Sequence, residues 1–167
     1  MDAFQISPAV TDADFATGRA LFVEYAADLK VDLCFQDFSS ELETLPRMYG
    51  APGGCLLLAR ANDAVAGCVA VRPLRGREGV CEMKRLYVRP EFRGRRLGRQ
   101  LAIEIIATAQ RLGYRRMVLD TLASLQAANA LYLSLGFRPG EPYNANPLPD
   151  VRYWTLEIAD FRIQISD

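Results

Sequence analysis

The sequence predicts an α/β domain built on one mixed β-sheet, mostly antiparallel, with helices on both faces. Three strand-like runs joined by short turns occupy residues 55–88 and favour antiparallel pairing. A strand, a helix and another strand then follow one another over residues 80–121, and such a β–α–β unit requires a parallel pair. Amphipathic segments before and after these strands would cover the two faces of the sheet.

The N-terminal third contains one short strand and two helical segments. Residues 4–6 are a candidate first strand. Residues 11–14 offer side-chain caps, and apolar residues then recur at helical spacing from Phe15 to Leu29. A second helical segment follows Ser40, and Pro46 within it predicts a short or kinked element.

Strands and helices alternate through the rest of the chain. Asn62 and Asp63 predict a hairpin turn between the first two of the three central strands. A 3.6-residue apolar period over residues 98–112 predicts a helix that ends at Gly113. The predicted elements are strands at 55–61, 65–71, 80–88, 117–121 and 151–158, a further helix at 126–135, and a long loop at 139–149.

Length and composition place the chain among ordinary globular proteins. Its 167 residues predict a single domain, residues 1–167. The net charge is zero, so no overall field attracts nucleic acid or a membrane, and neither partner is expected. The sequence shows no signal peptide and no apolar run approaching about 18 residues, and a cytoplasmic location is therefore expected.

The chain contains no histidine. This excludes Ser-His-Asp and Cys-His chemistry and argues against a zinc site. Its four cysteines form no CxxC pair. Three of them, Cys55, Cys68 and Cys81, lie in apolar runs typical of buried, inert thiols. No metal is expected.

A Gly- and Arg-rich loop lies between a strand and a helix in residues 81–101. The first N–H groups of a helix lack intrahelical acceptors, and the helix dipole adds partial positive charge there, so this arrangement predicts an anion-binding site. Basic residues cluster in the same segment: Lys84, Arg85, Arg89, Arg93, Arg95, Arg96 and Arg99.

The loop resembles the cofactor loop of the GNAT superfamily of N-acetyltransferases, which reads Arg/Gln-x-x-Gly-x-Gly/Ala. Arg93, Leu97 and Gly98 match this pattern, and the flanking segments LYVRPEFRG and ALYLSLGF are also similar to the family. Arg96 replaces the first loop glycine, and a helical conformation there would leave Arg96 without backbone strain. The resemblance implies an acyl-CoA N-acyltransferase fold, with acetyl-CoA as co-substrate.

The resemblance also implies where acetyl-CoA binds. The loop amides would bind its pyrophosphate, and the strand before the loop would bind the pantetheine arm through its main chain. An asparagine on the later helix would contact the same arm. The cofactor-binding residues implied are Leu86, Tyr87, Val88, Arg93, Gly94, Arg95, Arg96, Leu97, Gly98, Arg99 and Asn129.

Two residues are candidates for the proton chemistry of acetyl transfer. Tyr132 matches the family tyrosine that acts as general acid on the CoA sulfur, although it could simply be packed. Leu131 and Leu135 already supply a core face, which leaves Tyr132 for another surface. Glu82 occupies the position of a glutamate that deprotonates the amine in some relatives, although it could instead pair with a nearby Lys or Arg. Tyr153 and Glu157 are alternatives that could line the site, and the oxyanion donor would be a main-chain N–H near Val88.

The resemblance implies direct acetyl transfer to a primary amine in a ternary complex. A small-molecule acceptor is favoured: an amino acid, a polyamine or an antibiotic-like amine. The alternatives are a protein N-terminal or lysine acetyltransferase, and a non-catalytic CoA-binding sensor or interaction module. Residues 161–165 could serve a homodimer. Candidate walls of the acceptor site are Tyr25, Phe35, Tyr49, Tyr143, Asn144 and Asn146.

Overall fold

Seven strands form one mixed sheet in the computed structural model, which describes residues 3–33 and 37–162. Their order across the sheet is β1-β2-β3-β4-β5-β7-β6, and every neighbouring pair is antiparallel except β4–β5. The predicted sheet, mostly antiparallel with one parallel pair, is confirmed. In chain order the strands are β1 (Gln5–Pro8), β2 (Cys55–Ala61), β3 (Ala64–Pro73), β4 (Val80–Val88), β5 (Arg116–Leu122), β6 (Arg138–Pro139) and β7 (Val151–Glu157).

Helices cover both faces of the sheet, as predicted. One face packs against α1 to α3 around Phe22, Leu45 and Tyr49, and the other packs against α4 and α5 around Ile105 and Phe137. The helices are α1 (Asp12–Leu29), α2 (Phe38–Glu43), α3 (Leu45–Met48), α4 (Leu97–Arg111) and α5 (Gln126–Ser134).

Local sequence explains how the N-terminal helices begin and end. The Thr11 hydroxyl accepts from the Asp14 N–H at 3.1 Å while the Asp14 carboxylate accepts from the Thr11 N–H, a capping box that starts α1. The second helical segment begins at Phe38, earlier than predicted, and is split at Thr44 into α2 and α3. Pro46 lies in the first turn of α3, where its missing N–H costs no helical hydrogen bond.

The parallel ladder between β4 and β5 is short. It joins Val80 to Arg116, Cys81 to Met117 and Glu82 to Val118, and then ends. Beyond Glu82, β4 continues against β3 while β5 continues against β7, so the two strands separate toward their carboxyl ends. A register shift in the β3–β4 pair accompanies this separation, and Arg85 of β4 has a left-handed backbone with φ of 59°.

A buried ion pair fastens β4 to α2. The Arg85 guanidinium donates to both carboxylate oxygens of Glu41, at 2.8 and 3.0 Å, and the two residues are 5% and 1% exposed. The guanidinium also lies over the rings of Tyr25 and Phe38. Burial opposes ionisation of Glu41, but the hydrogen bonds and charge of Arg85 outweigh it and lower the pKa of the carboxyl.

Replacing Glu41 with Gln is expected to lower the free energy of unfolding by about 3 kcal/mol, because the buried Arg85 would lose its counter-charge. Glu157→Gln is the matched control: its pair with Arg116 is half exposed, and the loss should be under about 1 kcal/mol. Urea denaturation measures both. Equal losses would contradict a stabilising role for the buried pair.

The same variant should change the pH dependence of stability. Because the folded-state pKa of Glu41 lies below its ordinary value of 4.5, the stability that this group adds is present above pH 4.5. It is lost as the pH falls through the folded-state pKa. Acidification should therefore narrow the stability difference between the wild type and Glu41→Gln.

Candidate functional site

A groove of about 550 Å³ runs along the separated end of β4 and the start of α4. The turn before α5 and the first residues of α5 form its opposite wall. Most of the residues predicted to bind a cofactor meet here: Leu86, Tyr87, Val88, Arg93, Gly94, Arg96, Leu97 and Gly98. We call this the main groove. Arg95, Arg99 and Asn129 do not line it.

The loop before α4 turns through two left-handed residues. Gly94 has φ of 80°, and Arg96, the residue that precedes the first turn of α4, has φ of 62°. The helical conformation that would have spared Arg96 backbone strain is therefore not adopted. A left-handed backbone costs a non-glycine residue about 1 kcal/mol, which explains why glycine suits this position. No side chain in the described part of the chain caps the N-terminus of α4, so its first N–H groups remain available to a ligand.

A β-carbon would fit without a clash at Gly98, in the first turn of α4. A β-carbon built there would meet only Val88 Cγ2 at 3.9 Å and Leu131 Cδ2 at 4.0 Å, both ordinary contacts. The packing of the protein itself does not require glycine at this position. The space is suited to close approach of a ligand to the helix backbone.

The arginines of the loop have different contacts. Arg93 donates from Nε to the Val88 carbonyl at 2.9 Å and forms a half-exposed ion pair with Asp28, so it braces the loop against β4 and α1. The Arg95 guanidinium lies over the ring of Phe92, outside the main groove. Arg99 donates to the Ser134 hydroxyl of α5 at 3.0 Å. Among the predicted arginines, Arg93 and Arg96 line the groove.

A smaller cavity of about 50 Å³ adjoins the main groove in the gap between β4 and β5. The two spaces share the wall residues Tyr25, Leu86, Leu125 and Ala128. The remaining lining residues of the smaller cavity are Met83, Lys84, Arg85, Leu119, Asp120, Thr121 and Tyr132. We call it the inner cavity.

Tyr132 lies against the inner cavity with its ring in the core. It is 6% exposed and packs edge-to-face on Phe137, while Leu131 lines the main groove. Leu135 lies in the core and Leu131 packs against it, as predicted, but Tyr132 is buried in the same core, so the expectation that Tyr132 faces another surface is wrong. The Tyr132 hydroxyl makes no hydrogen bond to any described residue. Burial, assisted by Tyr25 and Asp120, raises the pKa of Tyr132, so the hydroxyl is protonated at neutral pH.

Asn129 fastens α5 to the sheet. Its amide nitrogen donates to the carbonyls of Leu122 and Leu125 at 2.8 and 2.9 Å, and its oxygen accepts from the Trp154 indole at 2.8 Å. These bonds use both amide hydrogens. The structure gives this side chain a positioning role, which differs from the predicted contact with a cofactor arm.

Glu82 is 2% exposed and has three partners. Arg72 Nε donates to one carboxylate oxygen at 3.0 Å, and the Tyr143 hydroxyl donates to the other at 2.5 Å. Lys84 Nζ lies 3.9 Å from the second oxygen and also borders the inner cavity, and its burial lowers the pKa of Lys84. The ion pairing that the sequence left open is present, and a role as base stays a prediction.

The loop after β6 is held over this site by Asp120, a residue that sequence reasoning missed. Asn144 and Asn146 donate to its carboxylate at 2.8 and 3.1 Å, and Tyr153 donates to Asn144. Asp120 borders the inner cavity. Its position as the only charged residue in the run MVLDTL could have identified it.

The other residues predicted for the acceptor site, for proton transfer or for a dimer contact do not lie together. Tyr25 borders the inner cavity, but Tyr49 is fully buried, and Phe35 lies outside the described residues. Glu157 pairs with Arg116 at the surface. Phe161 packs into the core, and residues 163–165 of the proposed dimer segment also lie outside the described residues.

Residues 3–33 and 37–162 contain no helix long and apolar enough to cross a membrane. The same residues contain no group of three or more Cys, Asp or Glu side chains that could hold a metal ion. Cys68 and Cys81 are buried, and burial raises the pKa of both thiols, to about 12 for Cys81.

Comparisons with known proteins agree with this architecture. Residues 22–137 match the Acetyltransferase (GNAT) family. An uncharacterized N-acetyltransferase of Schizosaccharomyces pombe is 48% identical over 92% of this chain and 94% of that protein. The N-acetylaspartate synthetase of Danio rerio is 31% identical over 85% of this chain and 51% of that protein. The PaiA N-acetyltransferase of Thermoplasma acidophilum, solved in complex with coenzyme A, superposes with a TM-score of 0.70 at 16% identity, over 93% of this chain and 99% of that one. The resemblance seen in the sequence is confirmed: this chain belongs to the GNAT family and is an N-acetyltransferase.

Proposed function

We propose that the protein transfers the acetyl group of acetyl-CoA directly to the primary amine of a small molecule, in a ternary complex. One observation carries this proposal: the main groove starts at the uncapped end of α4 and shares a wall with the inner cavity, whose lining includes Tyr132. GNAT acetyltransferases use acetyl-CoA. The two adjoining spaces thus offer an anion site at one end and a proton donor at the other.

The main groove suits the two chemically different parts of acetyl-CoA. The free N–H groups at the start of α4, with the neighbouring Gly94 and Arg96, would bind the pyrophosphate. Beyond Glu82, β4 has no strand partner on the β5 side. The main chain of Leu86, Tyr87 and Val88 would therefore bind the extended pantetheine arm, which supplies the missing hydrogen-bond partners.

In this proposal Arg96 has a strained backbone and a positive charge that would bind the pyrophosphate. Its left-handed backbone is unfavourable, but Arg96 lines the groove at the proposed pyrophosphate site, where its guanidinium would be within reach of a phosphate. Arginine binds phosphate through several donors in a fixed planar arrangement. The attraction would offset the strain in the bound state, which gives a reason for a residue that departs from the family pattern.

The proton chemistry is assigned to Tyr132 and Glu82. Bound acetyl-CoA supplies an activated acetyl group as a thioester, and Tyr132 protonates the departing thiolate sulfur. The raised pKa of Tyr132 keeps that proton available at neutral pH. Glu82 accepts the proton that the acceptor ammonium must lose, and Tyr143 and Arg72 hold its carboxylate in place. A main-chain N–H near Val88 would stabilise the oxyanion.

A small acceptor is supported by the relatives and by the charge of the chain. N-acetylaspartate synthetases, which by name act on an amino acid, align with most of this chain. The net charge is zero, so no general field attracts basic protein tails. The loop after β6 is bonded over Glu82 and Asp120, which restricts access to this side of the sheet.

Release of free CoA thiol from acetyl-CoA, measured across a panel of amines, tests this function. The panel should contain amino acids, polyamines, aminoglycosides and lysine-containing peptides. Thiol release with small amines, and not with peptides, is expected. Release with peptides alone would indicate a protein acetyltransferase, and CoA binding without release would indicate a sensor.

Replacing Tyr132 with Phe should lower kcat by roughly 10-fold to 1000-fold, because it removes the proposed proton donor while keeping the ring in the core. Affinity for acetyl-CoA should remain close to that of the wild type. Thr108→Val is the matched control, since it also removes one buried hydroxyl, which donates to the Glu104 carbonyl within α4, away from both spaces. Unchanged turnover would reduce Tyr132 to a packing residue.

Gly98→Ala is expected to weaken ligand binding without lowering the stability of the fold. The added methyl group meets only ordinary contacts, so the melting temperature should not fall. Because the methyl would fill the space offered to acetyl-CoA, we expect affinity to drop by at least about tenfold, measured by calorimetric titration with CoA. Unchanged affinity would show that the pyrophosphate binds elsewhere.

Arg96→Gly should raise the free energy of unfolding by about 1 kcal/mol, because glycine relieves the left-handed strain. The same variant should weaken CoA binding by roughly threefold to tenfold through loss of a phosphate contact. Arg95→Gly is the control: it removes the same charge from a neighbouring position that has no left-handed backbone, and should not gain stability. A lower free energy of unfolding for Arg96→Gly would contradict the claim that Arg96 is strained. An unchanged affinity for CoA would contradict the proposed contact between Arg96 and phosphate.

A further inference from the structure

A second groove, of about 520 Å³, lies beside Glu82. One wall comes from α3 and the segment before β2, and the other comes from the end of β3 and the turn that follows it. Glu82 lies at its inner end. Because Arg47, Arg72 and Arg75 all line it, we call it the arginine groove.

The arginine groove has an excess of positive charge. Among the described residues that line it, Glu82 is the only carboxylate, and that charge is already matched by Arg72 and Lys84. Arg47 and Arg75 are exposed, and neither makes a side-chain hydrogen bond or an ion pair with any described residue. Their guanidinium groups therefore keep all five donors for a ligand. A carboxylate is the anion that a guanidinium binds with two parallel hydrogen bonds.

Two side chains lie between the arginine groove and the inner cavity of the proposed reaction centre. Glu82 borders the arginine groove, and Lys84 borders the inner cavity. Lys84 Nζ lies 3.9 Å from the Glu82 carboxylate, so the two residues form the boundary between these spaces. An acceptor whose amine lies at Glu82 would extend its other end toward Arg47 and Arg75.

We propose that the acceptor is a small amine that also carries a carboxylate, and that Arg47 and Arg75 bind this carboxylate in the arginine groove. The inference rests on the function proposed above and specifies its substrate class. The groove volume matches a small-molecule site, and the Tyr114 hydroxyl holds its wall in place at the Gly53 carbonyl.

Steady-state kinetics on the full chain, by thiol release, tests the substrate class. The probes are L-aspartate and L-glutamate, each compared with the amine in which carboxamides replace the carboxylates. We expect kcat/KM to favour the carboxylates by at least about tenfold, and the preference to shrink as salt is added, because added ions screen exposed charges.

Arg47→Gln and Arg75→Gln test the residues. Each should raise KM for the carboxylate substrate by roughly threefold to tenfold, with kcat unchanged and with KM for the carboxamide analogue unchanged. Arg75→Lys should raise KM for the carboxylate substrate less than Arg75→Gln does, because it keeps the positive charge. Arg77→Gln is the matched control, since Arg77 is an exposed arginine of the same turn that does not line the groove. It should behave as wild type.

Several results would overturn the inference. Equal kcat/KM for carboxylates and carboxamides would do so, as would arginine variants that change both substrates alike. Preference for a peptide with an N-terminal acidic residue over the free amino acid would also contradict a small acceptor. Thiol release with neutral or cationic amines would leave the proposed function standing while removing this substrate class. No release with any amine would remove the proposed function itself.

Discussion

The early end of the hydrogen-bonded ladder between β4 and β5 is the constraint on which the rest of the structure depends. Pairing stops at Glu82 and Val118, yet neither strand is left without support. Strand β5 remains bonded to β7 along its whole length, and β4 remains bonded to β3. The gap is therefore a stable feature of the sheet, and it supplies both unpaired main chain and the inner cavity that reaches Tyr132. Open α/β sheets bind ligands at the carboxyl ends of such parallel strands.

Buried charges hold the walls of this gap. Glu41, Glu82, Lys84 and Arg85 are each no more than 5% exposed, a cost that is tolerable only when each charge is paired. The Glu41–Arg85 pair fastens α2 to β4, and the bonds of Glu82 fasten β3 and the loop after β6. The polar network thus replaces, through side chains, the connection that the missing ladder would have made. It also places a carboxylate and cations beside the proposed acceptor amine.

Local patterns predicted the strands, the loop and the helix that follows it, because turn residues and apolar periods are encoded by near neighbours in the chain. The features that the sequence did not reveal depend on distant partners. Asn129 is bonded by Trp154, 25 residues away, and Glu82 by Tyr143, 61 residues away. The burial of Tyr132 follows from how α5 rotates onto the sheet, which its own periodicity leaves open. Arg96 has a left-handed backbone at the start of α4, and the loop glycine of the family was the available signal.

The claim that the two adjoining spaces hold acetyl-CoA from the start of α4 to Tyr132 is tested most directly by a crystal structure of the complex. The account predicts pyrophosphate density against the N–H groups at the start of α4, and the thioester sulfur within hydrogen-bonding reach of the Tyr132 hydroxyl. Pyrophosphate density at any other surface, or a thioester outside the inner cavity with Tyr132 untouched, would contradict it.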